Sequence, residues 1–569
     1  MEQILNLIFG LIKKTDMKIQ QITLLLFILC FSSINSQVIL NKEEKELMQK
    51  IPQEAIYLHY NSNFLITGER LFYKVYNLNT NTKKLSTLSK VAYVDIINSK
   101  KETILQQKIK LKKGIGYGDF FITSSLKTDN YKIIAYTQWM KNKNVFFEED
   151  VFIYNAFTNP PKIITNKEVK EKKLNFKTYS KRKKVTIPVP KEITNSKAQN
   201  FSISVKKINP ALFSKKLTSK QFLINKNQEN LKNVNLNNTF FIPEFRGELL
   251  SGVITSKNKS KIENLQVSLS SINKNGNIQI TSTNNKGEFH FNLISDLAKE
   301  DLNVQLDVDS VSNYKMSLLK KQSLNYNQLQ FKGIFTSKEI NNIIKNRSIY
   351  QQIENAYNSV KADSVITNTV KFKNYQQIPL TFILDDYKRF NTMQETIVEV
   401  VKSCWLENKN DAYTFYVRDE NLVNNKLFKP LILVDGHIIT NHNELANFHP
   451  RKIKSIHVFR KKYILNSKQY HGIINVETFN LSFKPDEARL FKLNDLNISK
   501  EKTYFKQNYS RDKYKRIPDY RTQLYWNPAI DSKEITFYTS DVTGVFEINI
   551  EGFTNDGKSV SIKKLIEVK

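Results

Sequence analysis

The stretch PLILVDGHII, residues 430–439, holds an apolar run that stops at Asp435-Gly436 and then resumes. Asp-Gly between two hydrophobic runs marks a tight turn, because glycine takes positive φ without steric cost. Further on, HGIINVET (471–478) places a second glycine, Gly472, ahead of another strand-like run. AYTFYVRD (412–419) and IKSIHVFRKKY (453–463) also read as strands. LDDYKRFNTMQETIVEVVKSCW (384–405) opens as a polar turn and becomes helical. Met393, Ile397, Val400 and Val401 follow helical spacing there, and Cys404 falls on the same helix. Strands alternating with a helix predict an α+β unit over 378–482, with Asp435, Gly436 and Gly472 as its structural turn residues.

The chain has 569 residues, enough for several domains of ~100–200 residues each. Hydrophobic residues make up 40% and aromatics 11%, which supports packed cores and excludes global disorder. With 26 Tyr and 36 Phe the composition favours strands over helices. Only 15 Gly and 13 Pro exclude a collagen-like or Pro-rich stalk. The fold class expected is mainly β and multidomain: immunoglobulin-like β-sandwiches plus the one α+β unit.

The formal net charge is +33. Basic surfaces bind nucleic acid by counterion release, and anionic membranes by the same attraction. Here the lysines are spread along the chain. The densest cluster, KTYSKRKKV (177–185), lies in a linker-like stretch without the layout of a nucleic-acid module. No nucleic acid is expected as a partner; peripheral membrane contact stays among the expectations.

MKIQQITLLLFILCFSSINSQ (17–37) has a positive start, an apolar run from Ile22 to Phe31, and small residues before Gln37. That is the layout of a secretory signal peptide, with cleavage after Ser36 and Met17 as an alternative start. The run is shorter than the ~20 residues that span a bilayer. Cys30 raises lipidation as an alternative, although Phe27-Ile28-Leu29 stand where small residues are required. Residues 1–36 are therefore a leader, and the mature chain is expected in the periplasm, at the outer membrane or on the cell surface. Once the leader is removed Cys404 stands alone, so no intrachain disulfide and no multi-cysteine zinc site can form.

Residues 50–157 carry AIYLHYNSNFLITGERLFYKVYNL (55–78), LSKVAYVDIIN (88–98), GIGYGDFFI (114–122) and YKIIAYTQWMKN (131–142). Short strands with turn signals at this spacing predict a β-sandwich. These stretches resemble the macroglobulin-type immunoglobulin-like domain of alpha-2-macroglobulin-related proteins. The resemblance implies a binding or spacer domain, and the Cys-Gly-Glu-Gln thioester motif of the protease-trapping members is absent. Residues 246–335, with Gly252, an Asn275-Gly276 turn and the closing Gly287-Glu288-Phe289-His290-Phe291, resemble the non-catalytic carboxypeptidase regulatory-like sandwich. Residues 336–372 predict a connector helix, with Ile340, Ile343, Ile344, Ile349, Ile353 and Tyr357 near one face and Ser337 as its cap.

Val434-Asp435-Gly436, Ile453–Val458 and Gly472–Val476 resemble the sheet motifs of the plug domain of TonB-dependent receptors. A receptor continues into a barrel of about 20 strands of ~9–11 residues each, well over 200 residues. After Phe479 the chain is far shorter than that, so a plug-like module without its barrel is expected. Residues 483–569 predict a C-terminal immunoglobulin-like β domain. Its RIPDYRTQLYWNP (516–528) is similar to large secreted macroglobulin-domain proteins of Bacteroidota-type bacteria. Residues 158–245 read as linker and a poorly defined β region around FSISVKKINP (201–210).

Chemistry is sparse. Five of seven histidines, His437, His442, His449, His457 and His471, fall in one stretch, but their spacing matches no recurring zinc site. Asp385-Asp386 stands where helix capping outweighs acid–base work, and Asp435 belongs to a turn. Cys404 reads as a buried structural thiol, and Trp139, Trp405 and Trp526 as core anchors. No Gly-x-Ser-x-Gly, His-Glu-x-x-His or P-loop occurs. The expectation is no enzyme, no cofactor and no metal. The resemblances imply an exported binding or scaffold subunit docking to an outer-membrane barrel protein or envelope complex. The alternatives are an accessory ligand-binding protein for TonB-dependent uptake and a protease-directed macroglobulin-like inhibitor.

Overall fold

The computed structural model describes residues 53–158, 177–195, 200–209, 215–228, 241–271, 278–293, 302–308, 311–319, 321, 323–334, 337–366, 378–419, 426–465, 468–484, 490–493 and 499–569. The expected leader 1–36, with Met17 and Cys30, and the Asn275-Gly276 turn lie outside them. Among the described residues the chain is mainly β: four units built from many small sheets, with one long helix, Lys338–Ala356, packed beside the first.

The first unit faces a three-stranded sheet (Glu54–Tyr60, Arg70–Asn79, Ile115–Phe121) with a five-stranded one (Phe64–Ile66, Phe147–Tyr154, Asp129–Tyr136, Val91–Ile97, Thr103–Lys110). The Glu54–Tyr60 strand is buried at every position, so both of its faces are covered. Its register explains how. Tyr60 opposes Tyr73 and Leu58 opposes Val75, and these reach inward; the Tyr60 hydroxyl donates to Glu149 of the second sheet (3.0 Å). Tyr57 opposes Tyr76 and His59 opposes Lys74 on the other face, because side chains alternate along a strand. That other face lies against the C-terminal sheet.

The C-terminal unit is not continuous in sequence. Its sheet runs Gln523–Asn527, Phe201–Lys207, Gly544–Phe553, Ser559–Val568, Lys177–Tyr179, and Lys184–Pro188 pairs with Glu534–Tyr538. The region 158–245, expected as linker, thus supplies a central strand and two edge strands. FSISVKK looks weak in isolation because only Phe201, Ile203 and Val205 face the apolar core. Ser202, Ser204 and Lys206 face the first unit instead.

Between these two halves of the C-terminal unit the chain makes an excursion. The insert sandwich has sheets Glu288–Leu293, Glu248–Ser256, Tyr314–Leu318 and Ile278–Ser282, Gln266–Ser271, Leu302–Asp307, Leu490–Leu493. Its last strand is contributed from beyond the α+β unit. Several contacts bind the insert to the first unit, among them Lys108 to Glu248 (2.8 Å). Lys321 bridges Glu244 (2.9 Å), Glu248 (3.0 Å) and the Tyr93 hydroxyl (2.8 Å), and Tyr326 donates to Asp95 (3.0 Å).

Helix Lys338–Ala356 is capped by the Ser337 hydroxyl, which accepts from the Ile340 amide. Ile340 and Ile344 are buried against Phe64, Ile66 and Tyr154. Ile349 and Tyr357, expected on that face, are exposed. The buried stripe drifts through Arg347 and Ser348 instead, as a 3.6-residue repeat requires.

The α+β unit has a sheet ordered Leu380–Ile383, Ile453–Leu465, Lys468–Thr478, Leu431–Val434, His437–Ile439. Leu431–Val434 runs parallel to Lys468–Thr478; the other neighbours are antiparallel. The continuous apolar run has a physical reason: both faces are covered. Ile432 and Val434 join the helix-side core, while Leu431 and Leu433 pack with Ile278 and Ile280 of the insert sandwich.

Helix Met393–Glu399 starts with a capping box between Thr392 and Glu395. It ends before Cys404, which instead opens the strand Cys404–Lys409; this corrects the expected helical cysteine. The thiol is buried, and burial pushes it up to about 12. Asp385 and Asp386 do not cap that helix: Thr392 does, and Asp385 pairs with Arg389. Trp139 and Trp526 are buried, but Trp405 is half-exposed and stacks on Tyr416 at 5.0 Å.

At the Asp435-Gly436 hairpin both residues have positive φ (51° and 88°). Asp435 does more than turn the chain. Its buried carboxylate accepts from the Thr478 amide (2.8 Å), the Thr478 hydroxyl (2.5 Å) and the Phe483 amide (3.2 Å). Gly472 (φ 84°) has no room for a side chain: a Cβ would sit 2.7 Å from the Phe459 carbonyl and 2.8 Å from Val417. Asp435→Ala strands two buried amides, and we expect a loss of about 2–4 kcal/mol in this unit. Hydrogen exchange of a peptide covering 470–484 measures it; unchanged protection of Thr478 and Phe483 would contradict the carboxylate's role.

Candidate functional site

Two features stand out from the packed frame. The first is at the edge of the α+β sheet. Among the described residues Leu380–Ile383 pairs on one side only, with Ile453–Leu465. Leu380 and Ile383 are exposed, and Ile378 just before them is 91% exposed. Natural edge strands are blunted by charge, proline or a bulge. Here Pro379 precedes the strand and Asp385-Asp386 follows it, while the strand itself, LTFI, carries no charge.

Beside this unit lies a groove of about 880 Å³ between the insert sandwich and the α+β unit, with Tyr413, Phe428, Pro430, His442 and Tyr470 among its walls. The His442 Nδ1 accepts from the Phe415 amide (3.0 Å), and burial holds the ring down to about 4, so it is neutral at physiological pH. The other sequence-grouped histidines do not gather around it. His437 packs near Phe483, His449 accepts from the Arg451 amide, and His457 contacts Thr381 and Ser455. His471 is buried on Lys468–Thr478. Among the described residues no three His, Cys, Asp or Glu side chains form a metal-holding group.

The second feature lies where the first unit, the C-terminal sheet and the long helix meet. The facing surfaces are polar yet closed. The His59 ring and the Tyr76 hydroxyl contact Ser202 (2.7 and 2.8 Å), Tyr76 donates to the Glu551 carbonyl (2.9 Å), and the Lys74 ammonium donates to the Phe201 and Pro528 carbonyls. Further along the seam, Arg347 from the helix clamps Glu69 with both Nε (3.0 Å) and Nη2 (2.5 and 2.7 Å). Lys206 approaches Glu69 at 3.8 Å, and Lys216 approaches Glu547 at 4.0 Å.

Next to these pairs is a cavity of about 140 Å³, with Lys206, Lys207, Lys216, Arg347 and Glu547 in its walls. Burial lifts the Glu69 carboxyl, but Arg347 and Lys206 outweigh it and hold it below the usual range. Burial brings Lys206 down to about 8, with Glu69 opposing only in part. Lys207 and Lys216 are lowered as well, first by burial. None of these residues was singled out from sequence. The available signal was a paired Lys206-Lys207 at the end of an otherwise alternating strand; their partners Glu69 and Arg347 are too distant in sequence to be linked to them by pattern.

No protein-family model matches the sequence, and no curated protein matches it. Among solved structures, the native conformation of E. coli alpha-2-macroglobulin is similar at 8% identity, covering 90% of this chain and 22% of that one, with a TM-score of 0.16. E. coli alpha-2-macroglobulin activated by porcine elastase gives 9% identity, 91% and 44% coverage, and a TM-score of 0.22. Dimeric latent PorU from Porphyromonas gingivalis gives 10% identity, 47% and 34% coverage, and a TM-score of 0.16. The chain spans less than half the length of each of these. The sandwich architecture described above stands on sheet topology alone. Among the described residues no helix is long and apolar enough to cross a membrane.

The buried lysines fix a pH dependence. Lys206 holds its proton less tightly folded (about 8) than unfolded (~10.4), so between those values the unfolded chain binds more protons. Stability therefore rises with pH across that window, and lowered Lys74 and Lys216 act in the same direction. Above it, tyrosines such as Tyr57 and Tyr76, raised by burial, reverse the slope. Urea midpoints from pH 8 to 10 should climb, and Lys206→Met should flatten the climb; an identical slope in the variant would remove Lys206 from the account.

Proposed function

We propose that this chain is a non-enzymatic, exported binding or scaffold subunit of the cell envelope, and that its α+β unit is the docking module. The observation that supports this most is the uncharged strand Leu380–Ile383, which among the described residues is paired on one side only, with Ile378 and Ile383 exposed. An extended segment of a partner can add to such an edge through main-chain hydrogen bonds, with apolar side chains giving selectivity. The plug-like motifs Val434-Asp435-Gly436 and Gly472–Val476 make an outer-membrane barrel protein the partner of choice, by fold-level analogy. The groove of about 880 Å³ favours a second reading, an accessory protein that binds a ligand for uptake.

The test is affinity purification of the tagged chain from gently solubilised envelopes, alongside an Ile383→Lys variant. Ile383 is exposed, so the variant folds normally. We expect a barrel protein in stoichiometric yield with the native chain and its loss with the variant. Recovery of the chain alone at monomer mass would sink the docking role. A barrel retained equally by Ile383→Lys would move the contact away from this edge.

A further inference from the structure

Cationic side chains gather at the cavity of the three-way junction. Four cations line it, Lys206, Lys207, Lys216 and Arg347. The carboxylates near them are Glu69, which Arg347 clamps and which sits 3.8 Å from Lys206, and Glu547, shared between Lys216 (4.0 Å) and Lys563 (3.9 Å), while Glu551 and Glu149 also act on Lys216 from farther off. Lys207 has no carboxylate partner among the described residues; its ammonium lies beside Gly544, where a Cβ would be 3.5 Å from Nζ. The Asn346 and Thr522 side chains also line the space.

A partly buried ammonium with no carboxylate beside it, as at Lys207, is unfavourable, and its natural remedy is an anion. Arg347 is already engaged and Lys216 donates to the Tyr60 and Asn61 carbonyls (3.2 Å each), so the walls offer the Lys207 ammonium and what remains of Lys216 rather than a free guanidinium fork. The volume of about 140 Å³ holds only a few waters at ~30 Å³ each, so any occupant is small.

We propose that this junction cavity is a binding site for one small oxyanion, a phosphate or a carboxylate group, held chiefly by Lys207 and Lys216. Its contacts come from the first unit (Asn61–Phe64), from the C-terminal sheet and the Lys207–Asn209 segment that follows it, and from the helix (Asn346, Arg347). A bound anion therefore ties all three together. It also returns the buried lysines to their charged forms, so binding takes up protons near pH 8, where Lys206 is half-charged. The site is independent of the docking edge and stands or falls without it.

The experiment is calorimetric titration of the full chain with inorganic phosphate and with malonate, at fixed ionic strength in chloride and in two buffers of different ionisation enthalpy. Thermal unfolding is followed in parallel. We expect saturable binding of at least one anion, proton uptake at pH 8, and a raised melting temperature. Preference for phosphate or for malonate identifies which source of oxyanion the site takes. Lys207→Met should weaken binding by about tenfold, the worth of one charge-assisted hydrogen bond, while Lys454→Met on the exposed surface of the α+β unit should leave it unchanged. Lys216→Met provides a second variant if Lys207→Met folds poorly. No saturable binding of either anion overturns the proposal. Equal weakening in Lys207→Met and Lys454→Met also overturns it, since net charge alone then accounts for the signal.

Discussion

The molecule depends on one buried polar seam. Tyr57, His59, Lys74 and Tyr76 on one sheet meet Ser202, Ser204, Lys206, Glu547, Asn549 and Glu551 on another, and nearly all are closed off from water. Polar groups in such a place must find partners, because an unpaired one costs several kcal/mol while an apolar contact of the same shape would cost nothing. The seam meets much of that demand through serines and backbone carbonyls: Ser202 contacts both His59 and Tyr76, and Lys74 reaches two carbonyls, while His59 Nε2 and Asn549 Oδ1 find no partner among the described residues. Oily surfaces can slide over one another. A seam of matched donors and acceptors has one register, so it fixes how the two sandwiches sit.

That register has consequences for the rest of the chain. The C-terminal sheet places Phe201–Lys207 between strands more than 300 residues later, so it closes only after the insert sandwich and the α+β unit have been threaded through. The insert sandwich likewise borrows Leu490–Leu493 from beyond the α+β unit. Contacts of such sequence separation carry a large loop-closure cost and predict slow folding. The tethers around Glu244 and Asp95 and the helix clamp Arg347–Glu69 shorten the effective loops, since each returns the chain to the first unit before the next excursion.

Within this frame the α+β unit is held and yet accessible. One face of its sheet lies on its own helices and the other on the insert sandwich, which covers the apolar run at Leu431–Val434. Among the described residues the sheet edge at Leu380–Ile383 pairs with no further strand. On the proposed docking role, rigid seating leaves little conformational entropy to lose when a partner strand is added to that edge.

Strand identity was written locally. Alternation or continuous apolarity marked the strands of 55–78, 88–98, 412–417, 431–434 and 453–478, and Asp435-Gly436 marked its hairpin. The mainly β class with sandwiches and one α+β unit follows from those same residues. Tertiary structure alone decided the rest. Phe201–Lys207 shows only three apolar side chains, so nothing in the stretch says that it is a central strand whose polar face is buried under another unit. Cys404 follows helical residues in sequence, yet the helix stops at Glu399 and the chain turns into a strand. The carboxylate of Asp435 finds Thr478 and Phe483 more than 40 residues on, and Lys206 finds Glu69 and Arg347 on separate elements. Local pattern reports how a side chain suits its own strand or helix; which surface covers that strand is set by packing between segments hundreds of residues apart. The cationic cavity exists only after that packing is complete, and that is why no short stretch of sequence announces it.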